Sequence, residues 1–549
     1  MGELSRALRC EEVRIDHEYR HDLAVVERIE KRRVIGEPQI LPSEPNERTH
    51  RLLLHYSRRA VLVTILTVAQ LVYVVVLATW ILFEKRSPVA TLAWILALIA
   101  LPYVGFVVFF MFGPRRLLRK RLKHRRARGA VTASTPLGAS EPPPAQYDPR
   151  VEQLVHLVKR TGEPPASQCD SVEIFHDAAG AYDSMEAAIR EAKHHVHVGY
   201  YIFEPGRVGD RFRDALIERA KAGVTVRLLV DDVGSSAMGR KFTKPMRAAG
   251  IKLARFNEVT FSRIRSRVDF RNHRKIVVCD GIVGFTGGVN VADDYLLPME
   301  GPKNAADVLR DVRNKVTGHQ RPWRDTHVKI TGDAVRWLQL TFLDDWYYVT
   351  AFAARDREYF PAQTRTGKHL VQIVASGPDR DVEPIQKLYF AAIATARERV
   401  YVTTPYFVPD DAVLTSLTTA AMRGVDVRVL VPRRSDSLIV TAAARSYYDA
   451  LIAAGVRVYE YQPTMIHSKT LVVDDFFAAV GTANIDNRSF RLNFEVTAVL
   501  YGEEHAENLC AQFRKDLVKS KEIKAATRLK VPLRWRMAEA GARVLSPLL

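Results

Sequence analysis

Residues 149–549 repeat, and the repeat limits this part of the chain to two like-folded halves. In one half, Ala220-Lys-Ala-Gly223-Val-Thr-Val-Arg-Leu-Leu-Val230 reads as a helix end, a turn and a buried strand. In the other, Ala421-Met-Arg-Gly424-Val-Asp-Val-Arg-Val-Leu-Val431 reads the same. Residues 196–203 (VHVGYYIF) and 400–408 (VYVTTPYFV) are matching apolar strands upstream. Downstream, Ala248-Ala-Gly-Ile251 matches Ala453-Ala-Gly-Val456. Strands alternate with helical segments at 210–222 and 411–423, which predicts α/β units with largely parallel sheets flanked by helices. Two similar halves predict a pseudo-two-fold arrangement with a site between them.

Each half carries one more matching block, and this one has chemistry in it. The first is His273-Arg-Lys275-Ile-Val-Val-Cys-Asp280 followed by Gly287-Gly288-Val-Asn290. The second is His467-Ser-Lys469-Thr-Leu-Val-Val-Asp474 followed by Gly481-Thr482-Ala-Asn484. His and Lys two apart on an extended strand project from one face. The apolar run after each Lys fits a buried strand, and the glycines permit a tight return that brings each Asn back beside its Lys. These residue types suit phosphodiester chemistry. One imidazole can attack phosphorus and form a covalent intermediate. A second can protonate the leaving oxygen and then deprotonate the incoming alcohol. Two Lys and two Asn supply positive charge and donors to the non-bridging oxygens. A lone H-x-K would be a chance pair, whereas two complete copies inside matching repeats are not. No metal and no cofactor is expected. The cysteines Cys10, Cys169, Cys279 and Cys510 are far apart and show no CxxC spacing, so neither a zinc site nor a disulfide framework is suggested.

Ahead of the repeat, residues 60–83 hold no charge. As a helix they reach about 36 Å, enough to cross a hydrocarbon core of about 30 Å. A short link, Glu84-Lys-Arg-Ser87, leads to a second uncharged run at 88–113, whose Pro102 and Gly105 are tolerated in a membrane bundle. Arg58 and Arg59 precede the first run, and nine cations without an acid occupy 115–128 after the second. The positive-inside rule then puts both outer flanks in the cytoplasm and the link outside. Residues 129–148, rich in Ala, Pro, Gly and Ser, read as a tether. Residues 1–57 form a polar extension without a legible motif, and 298–322 have two readings, a surface loop or a segment that alters access to the site.

Charge fits this picture. Lys and Arg total 81 against 62 acids, net +19, which calls for a polyanionic partner. Nine of those charges lie in 115–128 and a net seven in 514–543, where ten cations face three acids. The surplus is therefore two local patches, one of them beside a span, and the expected polyanion is an anionic bilayer, with no nucleic acid. The segment 514–543 has two readings, a helix closing the second half or a membrane-surface contact.

The paired H-x-K-x4-D blocks resemble those of the phospholipase D superfamily. The apolar hairpin, Asn272-His-Arg-Lys-Ile-Val-Val, Trp323-Arg-Asp325-Thr-His327, the stretch from Gly481 to Glu495, and Leu545-Ser-Pro-Leu-Leu549 are similar to the bacterial cardiolipin synthases within it, from about residue 58 to the end. The resemblance implies two phospholipase D-like α/β/α halves, 149–360 and 361–549, behind a two-helix membrane hairpin at 58–114 and a basic segment and linker at 115–148. It implies a bacterial inner-membrane enzyme with its N-terminus and catalytic halves in the cytoplasm. It implies that one phosphatidylglycerol gives its phosphatidyl group to a histidine, glycerol leaves, and a second phosphatidylglycerol attacks to give cardiolipin. His273 is then the nucleophile and His467 the general acid and base, although the two are interchangeable on the motif alone. Asp280 and Asp474 belong to the catalytic motif or make a structural bond. Asp325 and Glu495 are the candidates to orient the imidazoles, paired crosswise, against a reading as simple salt bridges. The first block departs from the family in having Gly-Gly where many members have Gly-Ser; the second, Gly-Thr, keeps a hydroxyl. The alternative function is a phospholipase D-type hydrolase, with water in place of the lipid alcohol. A nuclease on this scaffold has no need of a membrane hairpin.

Overall fold

Helix α1 (Glu47–Phe83) carries the first apolar run. In the computed structural model, which describes residues 47–83, 92, 96, 147–257, 270–296, 322–352, 357–363, 367–380 and 382–546, its segment Ala60–Thr79 is long and apolar enough to cross a membrane, with a mean hydropathy of 2.6. Thr64 and Thr67 donate to the carbonyls of Ala60 and Val63 one turn back, at 2.9 and 2.8 Å, so their hydroxyls are satisfied inside the helix. Val61, Leu62, Val63, Ile65 and Leu71 are all more than half exposed, as suits a lipid-facing surface. The helix begins at Glu47, so 47–57, expected in the polar extension, continue the same helix. The second run at 88–113 lies outside the described residues apart from Leu92 and Leu96. The basic run 115–128, nearly all of the tether, and 297–321 lie outside them as well.

The chain divides into two units, Met1–Phe110 and Met111–Leu549. The second opens with α2 (Pro149–Arg160). Its first half comprises β1 (Ser167–Phe175), β2 (His195–Tyr200), β3 (Thr225–Asp231), β4 (Lys252–Phe256), β5 (Ile276–Cys279), β6 (Val283–Gly287) and β7 (His327–Gly332). Helices α3 (Ala178–Glu191), α4 (Arg207–Lys221), α5 (Arg240–Ala248) and α6 (Val335–Thr350) accompany them. The second half comprises β8 (His369–Ser376), β9 (Arg399–Thr403), β10 (Phe407–Val408), β11 (Asp426–Pro432), β12 (Arg457–Tyr461), β13 (Thr470–Val473), β14 (Phe477–Gly481), β15 (Ile485–Asp486), β16 (Glu495–Tyr501) and β17 (Ser520–Ile523). Its helices are α7 (Pro384–Ala394), α8 (Asp411–Met422), α9 (Leu438–Arg445), α10 (Tyr448–Ala453), α11 (Asn487–Arg491), α12 (Glu503–Val518), α13 (Ala525–Leu529) and α14 (Leu533–Val544).

The halves share one 15-stranded sheet, in the order β17-β12-β11-β9-β13-β14-β16-β8-β1-β7-β6-β5-β2-β3-β4. From the central β1–β8 pair outward, each half runs through the same series of strands, and β17 is an extra edge on the second. The sheet is mixed rather than largely parallel. Only β2-β3-β4 and β9-β11-β12 are parallel. The sequence pattern finds those strands because helices connect them and they read as continuous apolar runs. It misses that each motif strand, β5 or β13, turns back at once into β6 or β14, and a connection this short forces antiparallel pairing. Gly223 and Gly424 end α4 and α8 at φ +91° and +92°, which accounts for the repeated glycine.

Three apolar cores hold the layers together: one under α3 and α4, one under α7 and α8, and one common to both halves beneath α6 and α12. Helix α2 precedes the first half in sequence, yet Val151, Leu154, Val155 and Val158 bury in the core of the second. At about 1.5–3 kcal/mol per buried aliphatic side chain, that face fixes the helix where it lies.

Candidate active site

Backbone register brings the two motifs together. Before each motif strand the chain makes a short parallel bridge with the other half, Asn272 with Phe494 and Ile466 with Arg324. The His273 amide donates to the Phe494 carbonyl at 2.9 Å, and the His467 amide to the Arg324 carbonyl at 2.7 Å. Glu495 follows Phe494, and Asp325 follows Arg324, so each histidine meets the other half's acid. His273 Nδ1 lies 2.9 Å from Glu495 Oε2, and His467 Nδ1 lies 2.7 Å from Asp325 Oδ2. Both carboxylates are fully buried. Two buried ion pairs hold the segments in place: Arg274 with Asp345 at 2.7 Å and Arg324 with Asp516 at 2.8 Å. Arg274, the residue between His273 and Lys275, also donates to the Glu495 carbonyl at 3.1 Å.

A carboxylate on Nδ1 fixes the imidazole tautomer and leaves Nε2 as the reactive nitrogen. His273 Nδ1 also sits 3.1 Å from the Thr482 carbonyl, so that side of the ring is occupied. Lys275 Nζ donates to the His273 carbonyl at 2.8 Å, and Lys469 Nζ lies 2.8 and 2.9 Å from the two ring nitrogens of His467. Thr482 Oγ1 donates to Glu495 Oε2, Asn493 Nδ2 donates to Glu495 Oε1 at 3.2 Å, and the Thr326 amide donates to Asp325 Oδ1 at 2.7 Å.

Burial dominates the electrostatics. It pushes His467 down to about 4, with Lys469 repelling further and Asp325 opposing. It pushes His273 down to about 4 as well, against the pull of Glu495. Lys275 falls to about 7 through burial and then repulsion from Lys469; Lys469 falls to about 8 through burial. Burial raises Glu495 and Asp325, yet the contact with His273 holds Glu495, and Lys469 with the His467 contact holds Asp325, below the usual carboxylate range. The unfolded histidines, near 6.5, bind more protons than the folded ones between about pH 6.5 and 4. Their contribution to stability is therefore complete above pH 6.5 and is lost as pH falls toward 4. We expect the melting midpoint of the detergent-solubilised protein to fall across that window, and His273→Asn to remove part of the slope. A midpoint that stays flat would contradict neutral buried imidazoles.

Asp280 and Asp474 are not in the cluster. Each stands five residues beyond its lysine, about 16 Å along an extended strand. Each has a left-handed backbone, φ 55° and 50°, which Asp tolerates better than most residues. Asp280 accepts the backbone amides of Lys193, His194 and His195 at 2.7–2.8 Å. Asp474 accepts those of Arg397, Glu398 and Arg399, and pairs with the Arg150 guanidinium. These contacts tie the motif hairpin to the start of β2 or β9.

The two asparagines differ. Asn290 donates to the Tyr295 hydroxyl at 2.9 Å, and that hydroxyl lies 3.1 Å from His467 Nδ1. Asn484 is 3% exposed, and its Oδ1 has no hydrogen-bond partner among the described residues. Tyr295 was not legible in the sequence, because no spacing rule links it to a motif 172 residues away. A cleft of about 490 Å³ opens beside it, lined by Tyr295, Trp323, Arg324 and Arg207. Among the described residues no group of three or more His, Cys, Asp or Glu is placed to hold a metal.

The Gly-Gly of the first block has a steric cause. A Cβ at Gly288 would fall on the Asp325 carboxylate. In the second block the longer Glu495 leaves room for Thr482, whose hydroxyl binds it. Gly288→Ala is expected to displace Asp325 from His467 and lower kcat by about 10²-fold, with little change in KM. Unchanged kcat would mean that the Asp325 position is not critical.

The comparisons with known proteins follow the same division. Residues 185–299 and 389–517 match the family described as "Cardiolipin synthase, PLD-like domain", and 71–114 match "Phospholipase_D-nuclease N-terminal". A cardiolipin synthase of Geobacillus kaustophilus (strain HTA426) is 39% identical over 483 residues, 87% of this chain and 92% of that one. Cardiolipin synthase 1 of Bacillus anthracis is 38% identical over 480 residues, 85% and 91% of the two chains. The crystal structure of a phosphatidylserine synthase of Haemophilus influenzae Rd KW20 superposes with a TM-score of 0.53 at 13% identity, over 72% of this chain and 100% of that one, a likeness of fold.

Proposed function

The chain belongs to the cardiolipin synthases of the phospholipase D superfamily, and from that premise we propose how its paired histidines make cardiolipin. The enzyme is a phosphatidyltransferase associated with the membrane. Its donor and acceptor are both phosphatidylglycerol. His273 Nε2 attacks the phosphorus of the first, the bond to the glycerol headgroup breaks, and His467 gives that oxygen a proton. Glycerol leaves a phosphatidyl group on His273. A terminal hydroxyl of the second phosphatidylglycerol then attacks, His467 takes its proton, and the nitrogen–phosphorus bond breaks to release cardiolipin.

The observation that carries this reading is the crosswise pairing, in which each imidazole has Nδ1 on a buried carboxylate of the other half. Lys275 and Lys469 balance charge on the non-bridging oxygens. An anionic phosphodiester entering between the lysines raises the proton affinity of His467, which lets a buried imidazole act as an acid. Asp280 and Asp474 serve the fold. The hairpin 58–114 spans the inner membrane twice, and the two halves, 149–360 and 361–549, work from the cytoplasmic side.

Purified protein in phosphatidylglycerol vesicles is expected to form cardiolipin and glycerol in equal amounts. Phosphatidic acid with glycerol would instead make the enzyme a hydrolase.

A further inference from the structure

Helix α14 presents its apolar stripe to solvent. Leu533, Met537, Ala540 and Val544 recur at i, i+4, i+7 and i+11, the spacing of a face that normally packs on a core. Here Leu533, Met537 and Val544 are 74%, 67% and 79% exposed, while the buried face holds Glu539 and Ala542. Two contacts fix the rotation. Glu539 accepts from Arg528 at 2.6 Å, and Arg528 also pairs with Asp449 at 2.8 Å. The Arg543 guanidinium lies 4.7 Å from the centre of the Tyr447 ring. Turning the stripe inward would leave the buried Arg528 without Glu539.

The borders of the stripe are cationic. By helical position Arg534 flanks it on one side, and Arg536 and Arg543 on the other. The helix has one acid, Glu539, and it is buried. Leu529, 76% exposed, and Lys530 continue the same apolar and basic character just before the helix. A cleft beside α14, where Arg433, Arg434 and Lys521 meet Trp535, adds further cations.

We propose that this face is a second membrane contact, independent of α1. Helix α14 lies in the headgroup plane of an anionic bilayer, with the stripe at the acyl boundary and Arg534 and Arg536 on lipid phosphates. A second copy of the chain fits less well, since a two-fold contact would set arginine against arginine with no exposed acid on the helix to answer them. The choice of lipid over an acidic protein rests on the reading of this enzyme as one that acts on phospholipids.

The test uses the full chain with Met537→Cys in a Cys10→Ser background; Cys169, Cys279 and Cys510 are buried. The new cysteine carries an environment-sensitive fluorophore, and the protein is reconstituted in vesicles of phosphatidylglycerol and phosphatidylcholine. Lipids brominated on the acyl chains are expected to remove about half of the emission, as suits a probe at the acyl boundary. Adding Leu533→Glu and Val544→Glu is expected to abolish that quenching and to lower cardiolipin synthesis in vesicles about ten-fold, with synthesis in mixed micelles unchanged. A label open to aqueous iodide and untouched by brominated lipid would overturn the proposal. So would a label shielded from both quenchers; if that shielding fades as protein is diluted in the bilayer, a second copy covers the stripe. If the wild-type chain makes no cardiolipin even in micelles, the reaction assigned above fails, while quenching still decides the docking on its own.

Discussion

Glu495→Gln is expected to lower kcat by about 10²- to 10⁴-fold while leaving a folded protein. The amide is nearly isosteric with the carboxylate, so the side chain keeps its place between His273 and Thr482. Two things change. The carboxylate can only accept from Nδ1, which leaves the Nε2 lone pair free for phosphorus; an amide can donate to Nδ1 and favour the opposite tautomer. The variant also loses the negative charge that balances positive charge developing on the ring as it attacks. Asp325→Asn is expected to impair His467 in the same way. Initial rates in phosphatidylglycerol vesicles measure both effects. Near-normal turnover of Glu495→Gln would remove this carboxylate from the chemistry.

Asp474→Ala is expected to act on the opposite quantity. The buried Asp474 carboxylate accepts three backbone amides and pairs with Arg150, which belongs to the helix that reaches across from the start of the repeat region. Its removal leaves three backbone amides without their acceptor and takes one partner from Arg150, which keeps Asp148 and the Thr395 carbonyl, a cost of about 3–5 kcal/mol. For a unit of this size that is a fall of about 5 °C in melting midpoint. Turnover per folded molecule changes little, because the carboxylate does not touch the histidines. Lost turnover with an unchanged midpoint would place Asp474 in the reaction. The same logic holds for Asp280, whose three amide contacts lack a buried arginine partner among the contacts described.

The two aspartates show how far a motif can be read. Spacing identifies H-x-K-x4-D as a unit, but a four-residue strand separates the lysine from the aspartate, and the turn that follows needs a residue that tolerates a left-handed backbone. The histidines and lysines were legible because the same spacing occurs twice, although each pair stands just before β5 or β13 rather than within the strand. The first apolar span was legible from its length, and the repeat from its glycine-ended helices. Besides Tyr295, three features were not. The continuity of the sheet depends on the β1–β8 pair, whose strands carry no repeated signal. The placement of α2 depends on which core its Val and Leu residues find, and an amphipathic pattern does not name its partner. The outward stripe of α14 looks in sequence like any core-facing helix; it is the burial of Glu539 that reverses it.

The central claim is that the phosphatidyl group passes through His273. Wild-type protein mixed with phosphatidylglycerol, stopped in alkali within one turnover and digested, tests it by mass mapping, since a phosphorus–nitrogen bond survives base. A phosphatidyl adduct, or its deacylated remnant, on the peptide containing His273 is the expected result. An adduct on His467 would reverse the two roles, and turnover without any histidine adduct would contradict the covalent route.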